Sequence, residues 1–225
     1  SCVNKFNGMW AFVIFDKIRN EIFGSRDRFG IKPLYCYNSH GVLVLASEIK
    51  AIRSYLDSPL DLNFDTATRF IISNRLDDTS ETFYRDIEQI PAGHIFSLSP
   101  AKNLKLERFY ELPVTVWDST VDPEEYAELF ENAVSIRMRS DVPIGVTLSG
   151  GLDSSSIICA MARDSISSTI NAFSFLHEEL DESRYLNDTL AQTTADMRSR
   201  SLDHLALWAS LDKVIEFHAD PLQSI

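Results

Sequence analysis

"VTLSGGLDSSSIICAMA", Val146–Ala162, decides how the second half of this 225-residue chain folds. Val146 to Leu148 close an apolar run that starts at "DVPIG". Two glycines, an aspartate and three serines follow, and then apolar residues at helical spacing. A strand that enters a helix through glycines is either a tight turn, capped by Asp or Ser, or a cradle for an anion. The first turn of a helix presents N–H groups with no carbonyl one turn back, and the helix dipole adds partial positive charge there. Gly150 and Gly151 let the backbone approach a ligand with no Cβ in the way, and Ser149, Ser154 and Ser155 add hydroxyls. Asp153 repels a bare phosphate, so it belongs beside one only if Mg²⁺ bridges the two. The stretch has no GxxxxGK(S/T) pattern and no Lys, which disfavours chemistry at a γ-phosphate.

Working outward, the second half alternates strand and helix. It opens at "VDPEE": Asp122 caps a helix with Pro123 at its first position and Glu125 three residues on. That helix places Tyr126, Phe130, Ala133 and Val134 toward a core. After the glycine loop come a helix, the strand "INAFSFL", the helix "DESRYLNDTLAQTTAD", a weaker strand in "SRSLDHL" and the helix "ASLDKVIEFHAD". Such alternation predicts a parallel sheet with crossover helices.

The first half reads differently. "MWAFVIFD" predicts a buried strand, "EIFGSRD", "PLYCYN" and "VLVLAS" three more, and the short links between them predict an antiparallel meander. "SEIKAIRSYL" predicts a helix capped by Ser47, with Ile49, Ile52, Tyr55 and Leu56 on one side. "FDTATRFIIS" predicts another helix. "DIEQIPAGHIFSLSPAKNLKLERFYEL" predicts three strands, with Gly93 at a positive φ.

Composition bounds the partners. The chain is 44% hydrophobic and 24% charged, as in soluble globular proteins. It shows no apolar run long enough to span a membrane and no signal peptide. Residues 1–112 carry 14 basic and 14 acidic residues, and residues 113–225 carry 7 and 19, so the whole net charge of -12 lies in the second half. That disfavours nucleic acid as a partner. Three cysteines with no CxxC, and five histidines without ligand spacing, point away from a disulfide scaffold or a zinc site and toward the cytoplasm. Cys2 reads as an ordinary, buried residue.

"SGGLDSS" resembles the pyrophosphate loop of the N-type ATP pyrophosphatases, which transfer AMP from ATP and release pyrophosphate. The wider "DVPIGVTLSGGLDSS" is similar to the glutamine-hydrolysing asparagine synthetases. "FNGMWAFVIFD", "RDRFGIKPLYC", "ASEIKAI" and "IPAGH" resemble, in order, the later part of that family's class II glutaminase domain, and "FSFLHEELDESRY" and "HADPLQS" resemble its synthetase domain. The resemblance implies a mixed α/β and α+β chain. An antiparallel Ntn-type glutaminase part (1–112) and a linker (113–123) would precede an open parallel-sheet α/β ATP-pyrophosphatase part of the adenine nucleotide alpha hydrolase-like kind (124–225). It implies ATP, Mg²⁺, aspartate, and glutamine or ammonia as small-molecule partners. Ser149, Gly150, Gly151, Asp153, Ser154 and Ser155 would hold the pyrophosphate end of ATP, with Asp153 on Mg²⁺. Thr147 and Phe175 would stand on the adenine side.

The resemblance also implies an internal fragment. Ser1-Cys2-Val3 does not match the family's N-terminal Cys-Gly nucleophile, and the later Ser-Gly-Glu-Gly-x-Asp-Glu segment does not follow Ile225. Neither the glutaminase nucleophile nor the synthetase's catalytic acid is therefore expected among these residues, nor is full activity. An unpaired sheet edge makes self-association an expected hazard. Related alternatives are β-lactam synthetases and lasso-peptide cyclases, which adenylate a carboxylate but use an internal amine, and a non-catalytic nucleotide-binding remnant.

Overall fold

The computed structural model describes residues 2–76, 78–99, 104–114, 122–164, 170–176, 182–201 and 204–218. The chain forms two compact units, Ser1–Thr115 with Asp212–Ile225, and Val116–Leu211. Most of the linker 113–123, and nearly all of "HEELDE" and "HADPLQS", lie outside the described residues.

The first unit opens with a 3-10 turn at Cys2–Lys5 and continues as β1 (Ala11–Asp16), β2 (Glu21–Arg26), β3 (Tyr35–Ser39), β4 (Val42–Ala46), α1 (Ile49–Leu56), α2 (Phe64–Ser73), β5 (Ile87–Gln89), β6 (His94–Leu98) and β7 (Lys105–Arg108). All four meander strands exist, but they do not form one meander. They divide between two antiparallel sheets, β1-β2-β6-β7 and β4-β3-β5. The break falls at "RDRFGIK". The Asp27 carboxylate accepts from the N–H groups of Trp10, Phe29, Ile31 and Lys32. The Arg26 guanidinium donates to the carbonyls of Lys32, Ile90 and Gly30. These two adjacent buried ions lock a loop that carries the chain out of one sheet and into the other. Between β3 and β4, His40 and Gly41 both take positive φ, which gives the tight two-residue hairpin turn.

The sheets face each other across a core of Leu34, Cys36, Ile90 and Phe96. The next residue on β3, Tyr37, points to the other side and packs with Ile49, Ile52 and Ile87 under α1. Gly24 on β2 lies under the Phe96 ring, where a Cβ would come within 2.2 Å of Phe96 Cζ. Gly93 takes a φ of 69°, and β5 and β6 on either side of it belong to different sheets.

Several sequence readings need correction here. β1 is a strand but not a buried one: it is an edge strand, and Val13, Ile14 and Phe15 are exposed. The N-cap of α1 is Glu48, with no side-chain cap bond, rather than Ser47. Tyr55 is exposed, because Ile49, Ile52 and Leu56 alone line up on the core side. Cys2 is exposed, and the buried cysteine is Cys36.

The second unit contains α3 (Pro123–Arg137), β8 (Gly145–Thr147), α4 (Leu152–Asp164), β9 (Ile170–Leu176), α5 (Ser183–Ala191) and β10 (Ala195–Ser201), followed by α6 (His204–His218), which runs on past the unit's limit at Leu211. Asp122 caps α3 through its carboxylate to the Glu124 N–H at 2.9 Å. The sheet is parallel, in the order β10-β9-β8. Leu148, Ile158, Met161, Ile170, Ala172 and Leu186 form its core. Tyr126 is exposed, contrary to expectation, whereas Val134 packs against this core as expected, together with Met138 at the C-cap of α3. β10 begins earlier than expected. Ala195 and Met197 alternate toward the core, so "ADMRSRS" rather than "SRSLDHL" is the strand.

Candidate functional site

The glycine stretch lies between β8 and α4. Leu148 extends the strand by one residue, its N–H donating to the Phe173 carbonyl at 2.8 Å, and its side chain is buried. Gly150 then takes a φ of 82°, in the left-handed region where a Cβ is costly. A Cβ at that position would also meet Glu182 Cβ at 3.2 Å and Tyr185 Cβ at 3.4 Å. The N-terminus of α5 therefore abuts the loop, and glycine is required there for both conformation and space.

Serines knit the loop to the helix. The Ser149 N–H donates to Ser154 Oγ at 3.2 Å, and the two hydroxyl oxygens lie 3.1 Å apart. The Gly151 N–H donates to Ser149 Oγ at 3.3 Å, and Ser154 Oγ donates to the Gly151 carbonyl at 3.3 Å. The Ser155 N–H makes the first helical bond, to the Gly151 carbonyl at 3.1 Å. Its hydroxyl oxygen accepts from Thr189 Oγ1 of α5 at 3.2 Å. The N–H groups of Leu152, Asp153 and Ser154 form the helix's first turn, where no carbonyl lies one turn behind. Asp153 is exposed in that same turn.

Six of the sequence-derived residues (Ser149, Gly150, Gly151, Asp153, Ser154 and Ser155) thus share one loop and helix start. Thr147 and Phe175 stand on the sheet beside it. Thr147 is in register with Phe173 on β9, and Phe175 is two residues further along the same strand, so the three share a face. The alternate residues Ala172 and Ser174 are buried on the opposite face, whereas Phe175 is 76% exposed. A cavity of about 640 Å³ opens on the other side of the loop, between α3, α4 and α5, with Phe130, Gly150, Leu152, Cys159, Tyr185 and Asp188 in its wall.

The arrangement fits a polyoxygen anion with a hard cation. It offers backbone donors, hydroxyls, a stretch free of Cβ atoms and one carboxylate. The structure adds residues that the sequence did not single out. Glu182 and Tyr185 close one side of the loop, and Thr189 ties Ser155 to α5. No local pattern could reveal them, because they depend on how α4 and α5 lie against each other.

Residues 1–110 match the family model for a glutamine amidotransferase domain, and residues 125–224 match that for asparagine synthase. A Methanocaldococcus jannaschii protein assigned as a glutamine-hydrolyzing asparagine synthetase is 36% identical over 192 residues, which is 82% of this chain and 37% of that protein. The chain belongs to the asparagine synthetase family. Asparagine synthetase 1 of Bacillus subtilis is 26% identical over 223 residues, covering 97% of this chain and 35% of the relative. The amidase chyE of Penicillium rubens is 28% identical over 247 residues, covering 100% of this chain and 36% of the relative. The chain thus spans about a third of the length of these relatives. The glycine loop, the exposed sheet face and the cavity all fall within the residues matched to asparagine synthase. Among the described residues, no helix is long and apolar enough to cross a membrane.

Proposed function

We propose that the protein carrying this chain is an ATP-dependent amide-forming ligase of the asparagine synthetase type. It adenylates the β-carboxylate of aspartate with release of pyrophosphate, and ammonia drawn from glutamine then displaces AMP. The observation that carries this reading is the loop itself. Ser149, Gly150, Gly151 and Ser154 are bonded into one cradle at the start of α4, with Asp153 exposed beside it. In this reading the first-turn N–H groups and the serine hydroxyls bind the phosphate oxygens. Asp153 would hold Mg²⁺, which neutralises phosphate charge when bound. Thr147 and Phe175 face the adenine.

Residues 1–112 belong to an Ntn-type glutaminase part, 113–123 to a linker and 124–225 to an open-sheet ATP-pyrophosphatase part. The partners are small molecules, with neither nucleic acid nor membrane among them, and the setting is the cytoplasm. A homo-oligomer formed through an open sheet edge is compatible with this reading, and sedimentation tests it.

A second reading is favoured by the similarity to amidase chyE along the whole chain. The same loop would then activate a different carboxylate. The full-length protein given ATP, Mg²⁺, aspartate and amide-¹⁵N glutamine decides between them. The asparagine reading requires aspartate-dependent pyrophosphate release and ¹⁵N in the product amide. Release that ignores aspartate would overturn it.

A further inference from the structure

The face that carries Thr147, Phe173 and Phe175 continues onto β10. Arg198 is in register with Phe173, and Arg200 with Phe175. Residues paired across strands point to the same side, so the two arginines share one face of the sheet with the two phenylalanines. Both arginines are exposed, as are Phe173 and Phe175. Among the described residues neither arginine has an ion pair, a hydrogen bond or a ring contact. The placement runs against the local charge. Residues 113–225 hold only 7 basic residues against 19 acidic ones, yet two of the basic ones share this face.

Exposed rings flanked by exposed guanidinium-bearing side chains suit a flat heteroaromatic group that bears phosphate. Phenyl faces stack on bases, and a guanidinium pairs its fork with phosphate oxygens or lies over a base. Direction supports the match. The glycine loop caps β8, and the sheet order is β10-β9-β8. A nucleotide with its outer phosphates on the loop and its base at Phe175 would lie over β9 with β10 as the next strand, at about 5 Å per strand.

We propose that Arg200, seconded by Arg198, is a nucleotide-positioning residue that holds the AMP moiety of ATP against Phe175 on the open sheet face. This rests on the reading of the glycine loop as a pyrophosphate site. It supplies from the chain itself the positive charge that the acidic half otherwise lacks.

The test is titration calorimetry at about 0.15 M salt, where only nearby charges count. Wild type, Arg198→Gln/Arg200→Gln and Arg200→Lys are each titrated with Mg-ATP, AMP and Mg-pyrophosphate. The double variant is expected to bind ATP and AMP at least tenfold more weakly and pyrophosphate within twofold of wild type, with an unchanged melting temperature. Arg200→Lys keeps the charge without the fork and should fall between. ATP and AMP affinities within twofold of wild type in the double variant, with pyrophosphate still bound, overturn this proposal and leave the loop reading intact. Arginine-dependent ATP and AMP binding by a protein that does not bind pyrophosphate overturns the loop reading and supports the platform. A wild type that binds none of the three overturns both.

Discussion

The hydroxyl oxygens of Ser149 and Ser154 lie 3.1 Å apart, one at the end of a strand and the other in the first turn of the next helix. With the Ser149 N–H also on Ser154 Oγ, the loop is held in shape by its own side chains. Preorganisation of this kind spares a ligand the cost of ordering the loop. Ser154→Ala removes that acceptor and should weaken Mg-ATP binding about tenfold. Titration calorimetry reads the loss, and unchanged affinity would mean that the hydroxyl bridge does not shape the site.

Gly150 meets two constraints at once, a φ of 82° and the Glu182 side chain at 3.2 Å from any Cβ. Gly150→Ala is expected to destabilise the second unit by about 1–2 kcal/mol through the left-handed backbone alone, before any displacement of α5. Gly24→Ala tests the first unit separately. Its Cβ would overlap the Phe96 ring, and overpacking of this kind costs about 1–3 kcal/mol. Urea unfolding of both variants measures the two effects, and midpoints matching wild type would refute them.

Asp27 gives the first unit an acid limit. Burial alone would push its carboxyl up. The N–H groups of Lys32, Ile31, Phe29 and Trp10 overcome that and hold it below its ordinary value of 3.8. A carboxyl whose folded pKa lies below its unfolded one contributes stability above the unfolded value, and that stability is lost as pH falls through the folded one. Stability of the first unit should therefore be flat near neutrality and fall below about pH 4. Asp27→Asn should be less stable at pH 7 and lose less on acidification. Unfolding midpoints at a series of pH values decide this, and parallel curves for the two proteins would contradict it.

The cysteines differ in reach. Burial, with Glu88 nearby, pushes the Cys36 thiol up to about 11, so at pH 8 it is buried and protonated. Cys2 is exposed and Cys159 partly so. A maleimide at pH 8 should label Cys2 fastest, Cys159 more slowly and Cys36 only on unfolding. Peptide mapping by mass spectrometry checks the order. Rapid labelling of Cys36 would show that the two sheets do not enclose it.

The parts of this chain that were legible in its sequence are those governed by neighbours along it. The Asp122-Pro123 start of α3, the "SHG" hairpin and the strand–glycine–helix run are all local patterns, and the structure contains each. Readings failed where a partner distant in sequence decides. The Asp27 loop bonds back to Trp10, and Arg26 reaches Ile90, which splits the supposed meander between two sheets. The apolar look of "AFVIF" says strand, but it cannot say that β1 sits at an edge with Ile14 exposed. The sequence pattern sets β10 too late, because Ala195 and Met197 are only two apolar residues in a polar stretch and their alternation becomes visible once β9 lies beside them. The candidate site followed the same rule. Its loop residues could be read directly, whereas Glu182, Tyr185 and Thr189 reach it only through the packing of α5.

The central claim is that this loop binds the phosphates of ATP through a metal held by Asp153. Titration of Mg-ATP into wild type and Asp153→Asn, each with Mg²⁺ and again with EDTA, tests it most directly. The account predicts binding by wild type that weakens at least tenfold in EDTA, and Asp153→Asn in Mg²⁺ matching wild type in EDTA. Wild-type affinity for Mg-ATP in Asp153→Asn would contradict it.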